Sequence, residues 1–121
     1  MQLVKFFRNN MVDVSLYTRR KLLIGTSRSF VHPDFTTLAN IKVRDAFQQY
    51  GYGSILLHET ERYLQDNFNV SKINLLAKQI TGGDELVRFY IKNGYQLSDD
   101  DISRFDDYSH IYDLIRMHKL L

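Results

Sequence analysis

The chain has 121 residues, 44% of them hydrophobic and 25% charged, no cysteine, and a net charge of +2. That composition belongs to one ordinary globular domain and excludes both disulfide frameworks and thiolate catalysis. The mild basic excess is compatible with an anionic ligand but too small to argue for nucleic acid. No run is long enough to span a membrane, and Met1 to Phe7 is too short for a signal peptide, so a cytosolic domain is expected.

Gln2 to Phe7 reads as a short strand or a helical turn, and Asn9-Asn10 as the turn after it. Met11 to Thr18 alternates Val12, Val14 and Leu16 against Asp13, Ser15 and Tyr17, the pattern of a half-buried strand. Arg19-Arg20 turns the chain. Lys21 to Val31 supplies a second β-rich run, His32-Pro33-Asp34 breaks it, and Thr36 to Val43 forms a third. Short connections between these strands predict an antiparallel meander.

Gln48-Gln49-Tyr50-Gly51-Tyr52-Gly53-Ser54 then forms a glycine-bearing turn. After it, Leu56, Leu57, Thr60, Tyr63, Leu64 and Phe68 recur at helical steps. Paired glycines let the backbone approach a ligand, and a helix starting there leaves its first N–H groups unpaired and its dipole's positive end exposed. Such a turn suits a phosphate. Glycine also punctuates turns everywhere, and taken alone this one reads as a plain strand-to-helix connection.

Lys72 to Lys78 alternates Ile73, Leu75 and Ala77 as a strand, completing a βαβ unit parallel to Thr36–Val43. Thr81-Gly82-Gly83-Asp84 opens a second helix with Asp84 as its N-cap, Leu86, Phe89, Tyr90 and Asn93 near one face, and Gly94 closing it. Tyr95-Gln96-Leu97 begins another strand. Ser98 to Tyr108 is acidic and reads as an exposed loop, and His110 to His118 as the last strand. The expected class is α+β: a mixed, mostly antiparallel sheet with a central parallel βαβ unit flanked by helices.

Phe89-Tyr90-Ile91-Lys92-Asn93-Gly94-Tyr95, about forty residues after Gln48-x-x-Gly51-x-Gly53, changes the weight of the glycine turn. Together the two stretches resemble the GNAT superfamily of acyl-CoA-dependent N-acyltransferases. That family carries [Gln/Arg]-x-x-Gly-x-[Gly/Ala] after its fourth strand and Phe-Tyr-x-x-x-Gly-[Phe/Tyr] at the end of its later helix. The resemblance covers roughly residues 11–121.

The resemblance implies an N-acetyltransferase that moves an acetyl group from acetyl-CoA to a primary amine by direct attack, with acetyl-CoA as cosubstrate and no metal. Gln48, Gln49, Tyr50, Gly51, Tyr52, Gly53 and Ser54 would wrap the pyrophosphate. Ile41 and Val43 would pair with the pantetheine arm, and Tyr90 would donate a proton to the leaving thiolate. By spacing alone, Tyr90 reads as a core aromatic.

The chain departs from the family at Gly83, where the family often has an asparagine. Gln48 and Gln49 bring no positive charge to the loop. Only about 35 residues precede Thr36, where the family usually places a first strand and two helices that wall the acceptor site. A homodimer with strand residues from Met11–Val31 or the last strand, His110–His118, at its interface would remedy that, as would a large protein acceptor that closes the groove itself. The shortened front also supports another reading, an inactive acyl-CoA-binding or partner-binding module.

No general base is selected by spacing among His32, Asp34 and Glu59. His110 and His118 lie too far apart for a shared metal. The runs Asp99-Asp100-Asp101 and Asp106-Asp107 lack the glycine and glutamate of a calcium loop.

Overall fold

The structure is a computed structural model that describes residues 1–80, 82–98 and 112–121, with Tyr112 described by its backbone alone. The stretch left open between strand and helical turn is a strand, β1 (Gln2–Arg8), joined by a two-residue hairpin to β2 (Met11–Tyr17). Asn9 and Asn10 make that hairpin at φ 50° and 68°. Asparagine tolerates this left-handed pair better than other side chains do, and its twist matches that of the strands. β3 (Leu23–Val31) and β4 (Thr36–Val43) continue the antiparallel meander, as expected.

A single 3-10 turn, Asp45–Phe47, follows β4. Helix α1 (Tyr52–Phe68), strand β5 (Lys72–Ile80), helix α2 (Glu85–Lys92) and strands β6 (Gln96–Leu97) and β7 (Tyr112–Leu120) complete the chain. The seven strands form one sheet in the order β1-β2-β3-β4-β5-β7-β6. Among the described strand pairs, only β4 and β5 run parallel. The expected α+β class and the parallel βαβ unit are therefore present. β7 ends two residues later than the expected His118, and its expected start at His110, like the acidic runs of 99–107, lies outside the described residues.

Both helices cover the same face of the sheet. α1 buries Leu56, Leu57 and Leu64 against Val12, Val14, Leu16, Ile24 and Leu38. Burying each such leucine is worth about 1.5–3 kcal/mol, enough to fix the helix on the meander. One polar contact lies within that interface: Ser27 Oγ and Thr60 Oγ1 are 2.6 Å apart, and Thr60 Oγ1 also donates to Leu56 O at 2.7 Å. Both hydroxyls are thereby satisfied in a dry environment.

The other face carries no helix among the described residues. Val4, Phe6 and Leu76 are each about half exposed there, at 45%, 51% and 54%. The sheet's edges are β1 and β6, so the strands of Met11–Val31 are interior and offer a face rather than an edge.

The middle of α1 and the end of α2 are fastened to β7 by a buried polar cluster. Glu61 of α1 accepts from Lys119 Nζ of β7 at 2.9 Å, and Lys119 also donates to Asn93 O at the end of α2 at 2.9 Å. Glu61 Oε1 lies 3.2 Å from His58 Nδ1, while Glu61 Oε2 and the Tyr95 hydroxyl are buried without a hydrogen-bond partner.

Candidate functional site

β4 and β5 pair at only two positions, Thr37 with Asn74 and Leu38 with Leu75. The cause is local. β4 carries an extra residue at Ala39, since Arg28 opposes Asn40 while Ser29 opposes Leu38. Such a bulge bends its strand, and here the bend begins where pairing with β5 stops. From Asn40 onward the two parallel strands diverge, leaving a gap in the middle of the sheet.

The backbone of β4 faces that gap at two positions. Arg44 N–H donates to Ile24 O at 2.8 Å, toward β3. Strand alternation then turns Lys42 toward β3 as well, and the backbone groups of Ile41 and Val43 toward the gap. Gln48 Nε2 reaches Val43 O at 3.0 Å and Asp45 Oδ1 at 3.1 Å, tying the loop after β4 to the strand's end.

That loop turns sharply. Gln49 has φ 69° and Gly51, the N-cap of α1, has φ 81°. α1 starts at Tyr52, within the stretch that reads from the sequence as the turn, so Gly53 lies inside the first helical turn. Phe47 N–H and Gln48 N–H are used locally, and Ile55 N–H bonds Gly51 O. The backbone N–H groups between them, from Gln49 to Ser54, have no protein partner among the described residues. A run of unpaired donors at the positive end of a helix dipole is an anion cradle.

The gap, the loop and the start of α2 enclose one cleft of about 740 Å³. Ile41, Val43, Gln48 and Gly53 form one wall, and Lys78, Gln79, Leu86 and Phe89 the other. Gln79 holds its wall in place by donating to Gly83 O and accepting from Val87 N–H. Both helices begin at this cleft and run away from it. A long ligand can lie in it with its anionic end at Gln49–Ser54 and its chain along β4.

No protein-family model and no curated protein matches the sequence. Solved structures do match in shape. A protein described as a streptothricin acetyltransferase of Bacillus anthracis, solved with acetyl coenzyme A, superposes with a TM-score of 0.76 at 15% identity over 94% of this chain and 64% of its own. Spermidine/spermine N-acetyltransferase SpeG of Vibrio cholerae superposes at 0.75, with 19% identity over 93% of this chain and 66% of its own. A nourseothricin acetyltransferase gives 0.74, with 14% identity over 92% and 65%. The fold is that of the GNAT N-acetyltransferases. The chain spans about two thirds of the length of these structures.

Within the GNAT frame, Ile41, Val43, Gln48 and Gly53 line the cleft. Gln49, Tyr50, Gly51, Tyr52 and Ser54 lie on the loop and first turn beside it, with the Tyr50 side chain 72% exposed. Tyr90 lies elsewhere. It is 6% exposed, with its ring 5.3 Å from Phe89 and 5.5 Å from Tyr95. Phe89, its neighbour in sequence, is the residue that lines the cleft. Burial pushes the Tyr90 hydroxyl up to about 12. Burial, and then the nearby Glu61 carboxylate, push Tyr95 up as well.

Asp84 stands at the N-cap of α2 as expected, but its side chain makes no cap bond. It pairs instead with Arg88 Nε at 3.1 Å, a one-turn ion pair on the exposed side of the helix. The cleft wall of Lys78, Gln79 and Leu86 was not singled out from the sequence. The signal was present in the strand pattern, which gives Lys78 the side opposite Ala77, but nothing local says that β4 and β5 part there. Among the described residues no group of three or more His, Asp or Glu could hold a metal, and no helix is long and apolar enough to cross a membrane.

Proposed function

We propose that this chain is an acyl-CoA-dependent N-acetyltransferase that acetylates a primary amine by direct attack. The observation that carries the reading is the pairing of the β4–β5 gap with the unpaired N–H run at Gln49–Ser54. The loop donors would hold the pyrophosphate of acetyl-CoA, and Ile41 and Val43 would pair with the pantetheine amides as an added strand. The thioester would then lie in the gap.

The amine nitrogen attacks the thioester carbonyl carbon, the C–S bond breaks, the amine's proton passes to water, and CoA leaves as a thiolate. Catalysis would rest mainly on positioning. In this reading Tyr90 assists the thiolate. A phenol at about 12 donating fully to a thiolate of ordinary pKa, about 8.5, would go uphill by about 5 kcal/mol, so the role that fits is a hydrogen bond to sulfur.

One observation favours a second reading, an acyl-CoA-binding or partner-binding module without turnover: Tyr90 is not among the residues that line the cleft, and the carboxylates that do line it, Asp84 and Glu85, stand at the start of α2, with Asp84 paired to Arg88. A homodimer, expected through strand residues of Met11–Val31 or of the last strand, and a cytosolic location belong to the first reading as expectations. Among the described strands it is β1, with β6, that offers such a dimer an open edge. Calorimetry with acetyl-CoA, followed by free-CoA release against a panel of amines, separates the readings. Binding with release supports the transferase, binding without release supports the module, and no binding overturns both.

A further inference from the structure

The bare face of the sheet carries a one-sided charge. The register assigns Arg8, Arg28, Lys42, Lys72, Lys78 and Arg116 to it, all exposed. Asp13 is the one carboxylate on the same face among the described strand residues, and it is bound to Arg28 by two hydrogen bonds, at 2.8 and 3.0 Å. The other described carboxylates lie on loops, on the helices or, at Asp113, on the opposite face of the sheet. Lys78 and Arg116 are engaged with neighbouring groups, so Arg8, Lys42 and Lys72 are the cations that set the sign of the local field.

The gap between β4 and β5 opens onto this face. On the opposite face the two helices close it, with Gly53 of α1 against Phe89 of α2. Arg28 opposes Asn40 at the start of the divergence, Lys42 follows on β4, and Lys78 stands across the gap on β5. Lys42 and Lys78 thus stand on either side of the gap on this face, while the carboxylates of the cleft, Asp84 and Glu85, belong to the helix side.

We propose that the bare sheet face docks the acceptor, and that the acceptor amine is carried on an acidic polypeptide. The proposal rests on the transferase reading above. Three features select this occupant. The cations are spread from β1 to β7, about 24 Å at ordinary strand spacing, farther than a small amine can bridge. Apolar Val4, Phe6, Leu76 and Ile80 are exposed among them, which suits a polypeptide rather than a nucleic acid. A second copy of this face is disfavoured because like charges, Arg8, Lys42 and Lys72 on each side, would meet.

The test compares two peptides that differ only in the residues flanking one lysine, glutamate in one and arginine in the other. Acetylation is followed by mass spectrometry at ~20 and ~200 mM salt, with spermidine as a third acceptor. The acidic peptide should be preferred by about tenfold or more at low salt, with the preference shrinking at high salt. Lys42→Glu should remove most of that preference and Lys42→Gln part of it, with acetyl-CoA binding unchanged in both. Equal rates, a preference for the basic peptide or spermidine, or tight binding of labelled single-stranded RNA to this face in place of the acidic peptide would overturn the proposal. Acetyl-CoA binding measured on the same protein keeps the two failures apart: its absence overturns the transferase reading, while binding without acidic preference overturns the docking proposal alone.

Discussion

A Cβ built on Gly53 would sit 3.2 Å from Cε1 of Phe89 and 3.9 Å from Cγ2 of Val43. The first turn of α1 thus touches the Phe89 ring of α2 and the end of β4 at once, and a hydrogen in place of a side chain is what lets the three meet. Gly53→Ala would push the Phe89 ring by a few tenths of an ångström and narrow the cleft. We expect a loss of acetyl-CoA affinity of at least tenfold, with stability lowered by about 1 kcal/mol or less. Calorimetry and urea unfolding on the same variant check both parts.

Gly51 poses a different constraint. Its φ of 81° is costly for a side chain, but a Cβ there would meet nothing within 4 Å. Gly51→Asp keeps a residue that tolerates the left-handed region and adds a carboxylate beside the unpaired N–H groups. The variant should fold, with melting temperature within a few degrees, and lose most acetyl-CoA binding. Wild-type affinity in the folded variant would remove the phosphate from this loop.

Tyr90→Phe deletes one hydroxyl and keeps the packed ring. If that hydroxyl reaches the sulfur during turnover, kcat should fall about 10²-fold with acetyl-CoA affinity little changed. An unchanged kcat would return Tyr90 to the core, where Phe89 and Tyr95 already hold it.

The buried tyrosines also set an alkaline limit. Tyr90 is raised from 10 to about 12, so between those values the folded chain holds a proton that the unfolded chain has lost. Stability therefore is unaffected by this group below pH ~10 and falls as pH rises through the window, by about 2–3 kcal/mol in all. Tyr95, raised in the same direction, steepens the fall. Urea midpoints from pH 8 to 11.5 measure it, and Tyr90→Phe should flatten the curve.

Lys119→Met would strip Glu61, whose side chain is 7% exposed, of its cation. Removing one partner of a buried pair is costly, and we expect about 2–3 kcal/mol, at the low end because Lys119 keeps 19% of its side chain in contact with solvent. Adding Glu61→Leu to that variant should recover most of the loss. If the double variant is no more stable than the single one, the cluster acts through something other than an unpaired charge.

Edge strand β1 gives the last expectation. Its outer backbone groups have no strand partner among the described residues, and edge-to-edge addition of a second copy would satisfy them. Light scattering at micromolar concentration should give a dimer mass. A clean monomer, with and without acetyl-CoA, would rule out the dimer.

The local patterns were legible from the residues alone. The alternation of Val12, Val14 and Leu16, the helical stripe of Leu56, Leu57 and Leu64, and the turn at Asn9-Asn10 follow from periodicity and φ preferences, which act over a few residues. So did the glycine turn, because Gly51 and Gly53 answer to constraints on their own backbone and nearest neighbours. The gap between β4 and β5 was not legible. It arises from one extra residue at Ala39, whose effect exists only when β3 and β5 lie on either side. The same holds for Tyr90 and Phe89. Helical spacing brings both toward the interior, and only the packing of α2 on β5 decides that Phe89 meets the cleft while Tyr90 turns into the core. The cationic face likewise appears only once register stacks Arg28, Lys42 and Lys78 side by side, since residues far apart in the chain share a surface through tertiary pairing alone.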